Sequence, residues 1–308
     1  MWIILTLVAV FLWSLVNISD SYLVERNKHI GHPIGSLVLF SSLFGFIAAL
    51  AIFVFAGGSF SLGSSDIVLL VIAGFCNLLW IVFYLNALSH DDVSSVVPWF
   101  LTAPLFAYIL GYFVLGEKLL PSQLVGGVII LIGGLVLSIK TNREEGVKKG
   151  YKIIWKPIIL MTLSSLLIAI WGILFKFVGK DSGFWVASFW EHVGLGIAGI
   201  IVLVFVKPYR EGFSSMLKQS GRSILALNIF SEIATIIGNL LANYALLLTP
   251  VTMVFLLEVS QPIVVFLLGI ICTIFFPKVL KEDISYGNLV HKGVSIVIML
   301  VGALMLVV

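Results

Sequence analysis

The sequence predicts an all-α membrane protein of ten transmembrane helices, arranged as two inverted five-helix repeats around a central cavity. Three observations support this fold class. The 308 residues are 60 % hydrophobic and 11 % charged, with a mean hydropathy of +1.17, whereas soluble domains are about 45 to 50 % apolar. Long apolar runs recur along the whole chain, and a proline-containing stretch occurs twice at a fixed separation.

The apolar runs are long enough for helices that cross a bilayer, which need about 20 apolar residues each. We number them spans 1 to 10, and they cover residues 1–19, 33–56, 66–89, 93–116, 121–140, 157–178, 184–206, 222–248, 250–276 and 288–308. The strict alternation of apolar and polar residues that marks membrane β-strands is missing from these runs, so helices are expected. The first run has no basic segment before it and no small-residue cleavage site, and we interpret it as a retained helix.

A shift of 158 positions superimposes the first half of the chain on the second. The residues that then coincide include Trp13 with Trp171, Pro104 with Pro262, and Gly111 with Gly269. Each half contains five spans, and because five is odd the second copy must cross the membrane in the opposite sense. Inverted repeats of this kind build many secondary transporters, with the substrate site near the bilayer midplane. We expect a first repeat at 1–141, a basic linker at 142–156 and a second repeat at 157–308.

Several stretches of the sequence share one pattern. They are LNALS at the end of span 3, LTAPLFAYILGYFVLGEKL through span 4 and LVGGVIILIGGLVL in span 5, with NYALLLTPVTMVFLLEVSQPIVVFLLG and GVSIVIMLVGALML in the second half. The pattern resembles the EamA domain of the drug/metabolite transporter superfamily, here in two tandem copies. The resemblance implies that spans 1, 3, 4, 6, 8 and 9 surround a central cavity and that small metabolites, amino acids or drugs are moved.

Two positions depart from the repeated pattern. Glu117 follows span 4 but has no acidic counterpart after span 9, and Glu258 stands where the first half has Phe100. The first departure weakens any strict symmetry of gating. The second indicates that the two halves have specialised.

Prolines lie inside spans 4 and 9, at Pro104 and Pro262. A proline within a helix removes one backbone hydrogen bond and clashes with the carbonyl four residues earlier, so both spans should be kinked. Recurrence in both halves favours a hinge or gate at these positions. A static bend that only improves packing is the alternative.

Span 8 carries a stripe of polar residues at helical spacing, and span 9 adds two more. The members are Asn228, Glu232, Thr235, Asn239 and Asn243 on span 8, and Glu258 and Gln261 on span 9. Ionisable groups inside a membrane are costly and usually functional. We therefore predict that Glu258, Glu232, Gln261, Asn239 and Asn243 bind substrate or couple transport to protons. The alternative is interhelical hydrogen bonding without a substrate.

The two acids of this stripe should lie at different depths. At about 1.5 Å of rise per residue, Glu258 lies about 12 Å and Glu232 about 25 Å from the turn between spans 8 and 9. They are therefore predicted to act as successive stations along a path and not as a pair that shares one proton.

Aromatic and amide side chains at helical spacing predict the wall of the cavity. They are Trp13 and Asn17 on span 1, Asn77, Trp80 and Tyr84 on span 3, Trp99 on span 4 and Trp171 on span 6, with Asp20 continuing the face of span 1. Aromatic walls with a few polar groups are typical of pockets for amphipathic or ring-bearing small molecules. Ordinary aromatic packing is the alternative for any single member.

Other chemistry has little support in the sequence. Glu191 and His192 in span 7 leave two interpretations, a pH-sensitive pair or a structural contact. Cys76 and Cys272 fall inside spans, as buried small residues do. No glycine-rich phosphate loop or zinc-binding motif occurs, so no cofactor, metal or catalytic residue is expected. The basic residues lie mainly in loops beside spans, which predicts no nucleic-acid partner.

The direction of insertion is predicted differently by two arguments. The loops after odd-numbered spans contain 15 Lys and Arg residues, and the loops after even-numbered spans contain 3. Because basic loops stay in the cytoplasm, this count predicts that both termini are outside. The resemblance implies termini inside.

Together these patterns predict a secondary transporter, not an enzyme, for an amino-acid-like or drug-like small molecule. We expect alternating access, with protons or a counter-substrate as driving partner, in a bacterial or archaeal plasma membrane and as a monomer or homodimer. A transporter of nucleotide sugars or sugar phosphates is one alternative, but it would need basic residues in mid-span for the phosphate. A membrane scaffold without transport is the other.

Overall fold

The computed structural model describes residues 1–26, 33–116, 120–137, 139–141, 151–153, 155–258, 260–277 and 285–305. Almost all of these residues are helical. Glu117 and most of the predicted linker lie outside the described residues. The span numbers are kept below for the helices that occupy the predicted positions.

Nine helical segments in the described part of the chain are long and apolar enough to cross a membrane. They are Trp2–Arg26 (span 1), Pro33–Ala56 (span 2), Ser64–Leu88 (span 3), Val97–Leu115 (span 4), Trp155–Ser182 (span 6), Phe184–Phe205 (span 7), Arg222–Leu248 (span 8), Val251–Phe275 (span 9) and Tyr286–Met305 (span 10). Span 5 is the helix Pro121–Leu137, whose 17 residues are shorter than the other spans. The chain is therefore an all-α integral membrane protein, which confirms the predicted fold class, while the exact number of ten spans and the repeat stay predictions.

Two of the predicted boundaries are wrong. Span 1 was expected to end at residue 19, where polar residues begin, but its helix continues to Arg26. It continues because Ser19 is buried and Asp20 faces an internal chamber, so the polar residues lie inside the bundle. Span 5 ends before residue 140, and Ile139–Thr141 instead pairs with Tyr151–Ile153 as two short antiparallel strands.

Helices of the first half pack on helices of the second half. Span 3 packs along span 6, span 1 along span 8, span 2 along span 7, and span 5 along span 10. Spans 1 and 8 are antiparallel, since Trp13 contacts Asn239 while Asp20, further along span 1, contacts Ser231. Under the predicted repeat, span 3 corresponds to span 8 and span 6 to span 1. The span 3–span 6 pair is then equivalent to the span 8–span 1 pair. An inverted repeat would have this pairing, and the repeat itself stays a prediction.

The bundle is tighter on one side than on the other. Span 3 also packs along span 7, and a Cβ atom on Gly74 would overlap the backbone of Glu191, Gly194 and Leu195. Spans 8 and 2 are the equivalent pair under the repeat, yet they touch at few positions. The bundle is therefore closed between spans 3 and 7 and looser between spans 2 and 8.

Spans 4 and 9 are interrupted close to their prolines. Span 4 consists of a short helix Val93–Val96, a 3-10 helix Val97–Thr102 and the helix Ala103–Leu115, and span 9 consists of the helices Val251–Glu258 and Gln261–Phe275. Pro104 and Pro262 lie in the first turn of the second α-helix of each span, where the missing N–H has no helical partner to lose. The spans were predicted to kink at the prolines. Instead, span 4 changes from a 3-10 helix to an α-helix just before Pro104, and in span 9 Ser260 is a turn residue just before the helix that contains Pro262.

A surface helix that was not predicted, Lys207–Gln219, connects spans 7 and 8. Tyr209, Phe213 and Met216, at steps of four and three residues, pack on the core of the bundle. Lys207 and Glu211 form an exposed ion pair on this helix. An amphipathic helix of this kind is typical of a segment that lies in the membrane interface.

Candidate functional site

A cavity of about 640 Å³, including its open mouth, lies between the two halves of the bundle. We call it the central cavity. Eight residues that were predicted as site residues line it: Trp13, Asn17, Trp80, Pro104, Trp171, Asn239, Glu258 and Gln261. The wall comes from spans 1, 3, 4, 6, 8 and 9, the six helices that the resemblance implies.

Residues at equivalent positions of the two halves meet in the central cavity. Three pairs that are 158 positions apart line it, namely Trp13 with Trp171, Phe100 with Glu258, and Ala103 with Gln261. The sequence analysis noted the exchange of Phe100 for Glu258 but did not place Phe100 in the site. Since an acid and an aromatic ring occupy equivalent positions, the two halves contribute different chemistry to one cavity.

A second chamber of about 520 Å³ adjoins the central cavity, and Asn17 and Trp80 line both. We call it the acidic chamber because Asp20 and Glu232 line it. Its wall comes from spans 1, 2, 3 and 8 and includes Tyr84, which was predicted for the cavity wall. Glu258 and Glu232 therefore face different chambers.

The acids of this chamber have only hydroxyl groups as partners among the described residues. Glu232 accepts a hydrogen bond from the hydroxyl of Ser41, and the Ser231 hydroxyl donates to Asp20 Oδ1 at 3.4 Å. Ser41 lies on span 2, so its hydrogen bond connects the loosely packed spans 2 and 8. The sequence analysis did not select Ser41, because a lone serine in an apolar run carries no spacing signal.

Two amide groups of the central cavity accept hydrogen bonds from aromatic side chains. Trp13 Nε1 donates to Asn239 Oδ1 at 3.1 Å, and the Tyr84 hydroxyl donates to Asn17 Oδ1 at 3.0 Å. Asn17 is 5 % exposed, and its Nδ2 atom has no hydrogen-bond partner. Buried polar groups normally have partners, so Asn17 Nδ2 is a donor that a bound molecule can use.

Glu191 on span 7 lines neither chamber, but it forms hydrogen bonds with residues that form or support the wall of the central cavity. Its side chain is fully buried and accepts hydrogen bonds from Trp171 Nε1 at 2.7 Å, Asn77 Nδ2 at 3.1 Å and Asn243 Nδ2 at 2.8 Å. Trp80 Nε1 in turn donates to Asn77 Oδ1 at 2.8 Å. Glu191 thus holds Trp171 directly and Trp80 through Asn77.

The neighbouring His192 contributes less to this network. Its Nδ1 atom lies 2.8 Å from the Ser188 carbonyl oxygen and 3.9 Å from Glu191 Oε2. The sequence analysis considered Glu191 together with His192 and left both outside the site. The signal for Glu191 was its position as an acid within a span, but its partners lie on three other helices and cannot be found from spacing along one helix.

Four predicted site residues line neither chamber. Asn77 and Asn243 belong to the Glu191 network. Trp99 was predicted on the cavity wall, but its ring lies against Gly134 of span 5, about 3.0 Å from where a Cβ atom would be. On the 3-10 helix Val97–Thr102, Phe100 faces the central cavity, whereas Trp99 is buried against span 5. Pro262 is buried at the start of its helix.

The fold and the two chambers define a class, the helical membrane proteins with an internal cavity between two half-bundles. Residues 1–139, somewhat less than half of the chain, match the model of the EamA-like transporter family. The predicted resemblance is confirmed over these residues.

Other comparisons concern the whole chain. No curated protein matches it. Twenty-eight chains of solved structure do match. One, described only as "Crystal structure of protein", covers 98 % of this chain and 94 % of its own length, with a TM-score of 0.65 and 16 % sequence identity. This likeness shows that both halves take part in one known fold.

Proposed function

We propose that the protein is a secondary transporter that exposes the central cavity alternately to the two sides of the membrane and moves a small, ring-bearing metabolite. The observation that carries this proposal is the composition of the cavity wall, which both halves provide. The wall combines aromatic rings with Asn17, Gln261 and Glu258. A scaffold protein gains no stability from polar groups without partners inside a membrane.

Each kind of group in the cavity has a role in this function. The indole rings of Trp13, Trp80 and Trp171 supply flat apolar surfaces for the body of the cargo. Asn17 Nδ2 donates a hydrogen bond to it. The Glu258 carboxylate has no hydrogen-bond partner among the described residues, and it binds either a proton or a donor group of the cargo in turn.

The helix packing supports a mechanism for alternating access. The bundle is closed between spans 3 and 7 and loose between spans 2 and 8, so the loose contact between spans 2 and 8 is the side on which we expect the bundle to open. The breaks before Pro104 and Pro262 border the cavity, because Phe100, Pro104 and Glu258 all line it. Movement at these breaks would close one end of the cavity and open the other.

Transport of sugar phosphates or nucleotide sugars receives no support from the cavity wall. Phosphate groups are bound by Arg or Lys side chains. Among the residues that the structure describes, no Lys, Arg or His lines either chamber. Lys292, which is buried in span 10, instead pairs with Asp92 at 3.8 Å.

The proposed function can be tested with purified protein in two steps. A thermal-shift screen against metabolites at two pH values is run on the wild type, on Glu258→Gln and on the control Glu211→Gln, whose carboxylate is exposed on the surface helix. We expect a ligand that raises the melting temperature of the wild type and the control but not of Glu258→Gln. The same ligand should then exchange across the membrane of proteoliposomes in a counterflow assay. A ligand that binds but is never exchanged would contradict transport.

A further inference from the structure

The acidic chamber is lined by two carboxyl side chains and, among the described residues, by no cationic side chain. Its titratable groups are Asp20, Glu232 and Tyr84, and the central cavity next to it adds Glu258. Carboxylates inside a membrane are costly unless a cation or a network of donors compensates them. Each of the two chamber acids has a serine hydroxyl as partner, which brings no charge. A cationic ligand would balance them.

Aromatic rings surround the passage between the two chambers. The rings of Trp80 and Tyr84 are 6.0 Å apart, those of Tyr84 and Phe100 are 5.5 Å apart, and those of Trp80 and Phe100 are 6.0 Å apart. Trp80 lines both chambers. The faces of aromatic rings attract organic cations, and Trp attracts them most strongly. An inorganic cation would gain less from these rings, because it would have to give up its water to reach them.

Asn17 connects the two chambers with a donor that is not used within the protein. It lines both chambers, it is almost completely buried, and its Nδ2 atom has no partner. Its Oδ1 atom is occupied by the Tyr84 hydroxyl, which fixes the side chain in place. A molecule that extends from one chamber into the other would pass this donor.

We propose that the two chambers together bind an organic ammonium ion, with the ammonium group between Asp20 and Glu232 and an apolar ring beside Trp80. The proposal rests on the proposed transport function and names the class of its cargo. Three features carry it together: two carboxylates without a cationic neighbour, a cluster of three aromatic rings, and an unused donor at the junction.

The proposal is tested with three probes that share an indole ring. Tryptamine ends in an ammonium group, tryptophol in a hydroxyl group and indole-3-propionate in a carboxylate. Their affinities for the full-length protein in detergent are measured by isothermal titration calorimetry at neutral pH. Because a hydrogen bond to a charged group contributes about 1.5 to 3 kcal/mol, tryptamine should bind at least about tenfold more tightly than tryptophol. Indole-3-propionate should bind most weakly.

Two variants assign the effect to the acidic chamber. Asp20→Asn and Glu232→Gln should each lower the affinity for tryptamine by about tenfold and change the affinity for tryptophol little. The matched controls are Asp181→Asn and Glu211→Gln, whose carboxylates are exposed, and they should bind tryptamine as the wild type does. The comparison of the three probes on the wild type needs no variant, so it tests the proposal even if a variant does not fold.

Several results would overturn the proposal. They are equal affinities for tryptamine and tryptophol, no binding of tryptamine, unchanged binding in both chamber variants, or displacement of tryptamine by millimolar sodium as well as by other organic amines. Failure of transport is a separate result. Tight binding of tryptamine without counterflow would contradict the transport function alone, and exchange of a neutral or anionic cargo that does not depend on Asp20 and Glu232 would contradict the ammonium proposal alone.

Discussion

The carboxylate of Glu191 on span 7 accepts a hydrogen bond of 2.7 Å from the indole nitrogen of Trp171, a ring that lines the central cavity from span 6. The same carboxylate holds Asn77, which in turn holds the indole of Trp80. One buried acid thus fixes two rings of the cavity wall. The shape of the central cavity therefore depends on a residue that does not line it.

Replacing Glu191 should therefore weaken both the fold and the site. In Glu191→Ala, three donors on three helices lose their acceptor. At about 0.6 kcal/mol for each interhelical hydrogen bond in a membrane, the free energy of unfolding should fall by about 2 kcal/mol. Thermal unfolding in detergent measures this, with the exposed Glu211→Gln as control. An unchanged melting temperature, or unchanged affinity for a ligand of the central cavity, would show that Trp171 and Trp80 keep their positions without Glu191.

The contact between spans 3 and 7 should not tolerate a methyl group at Gly74. Its Cβ atom would meet the backbone of Glu191, Gly194 and Leu195, which cannot move aside as a side chain can. Gly74→Ala should destabilise the protein by at least about 1 to 3 kcal/mol, the usual cost of overpacking. Gly293→Ala in span 10 is the matched control, because nothing lies within 4 Å of its Cβ position. Equal melting temperatures for the two variants would contradict the close backbone contact.

The break before Pro262 should matter more for transport than for stability. In Pro262→Ala, the new N–H at position 262 can donate to the carbonyl of Glu258 four residues earlier, which would displace Glu258 at the end of the first helix. Since displacements of about 1 Å at a functional site can change rates by two orders of magnitude, exchange in proteoliposomes should fall by about tenfold or more. Pro157→Ala, in the first turn of span 6, should leave exchange unchanged. A Pro262→Ala variant that transports normally would assign Pro262 a packing role only.

The charge distribution makes a prediction about orientation that labelling can check. Ser61 lies between spans 2 and 3, and Lys218 lies on the surface helix between spans 7 and 8, so the two positions are on opposite sides of the membrane. If basic loops stay inside, Ser61→Cys should react with an impermeant maleimide in intact cells, and Lys218→Cys only after permeabilisation. Cys76 and Cys272 are replaced by alanine in both variants. The reverse pattern would support the orientation that the family resemblance implies.

The positions of the spans could be predicted because they depend on composition over about 20 residues, and single polar residues change that average little. The end of span 1 could not, since the apolar run stops at residue 19 even though Asp20 continues a face of the helix and lines an internal chamber. The surface helix was missed because its apolar residues, Tyr209, Phe213 and Met216, are spaced along a segment that is otherwise polar.

The candidate site was predicted in part for a similar reason. Residues such as Trp13, Asn17 and Glu258 stand out because they are aromatic or polar at helical spacing within apolar helices. Spacing shows which residues share a face of one helix, but it does not show which faces meet. Glu191 and Ser41 act through partners on other helices, and the 3-10 helix in span 4 changes which of two neighbouring rings faces inward. Those features depend on tertiary packing.

Gly74 and Glu232 occupy equivalent positions of the two halves, 158 residues apart. Gly74 allows the backbones of spans 3 and 7 to pack in direct contact. In the equivalent contact between spans 8 and 2, the Glu232 carboxyl group accepts a hydrogen bond from the Ser41 hydroxyl. Spans 3 and 7 can pack backbone against backbone at this position, whereas close packing of spans 8 and 2 would have to bury the Glu232 carboxyl group between them. If the two halves are repeats, as predicted, equivalent helix contacts therefore differ at one pair of positions, where one half has a glycine and the other a glutamate.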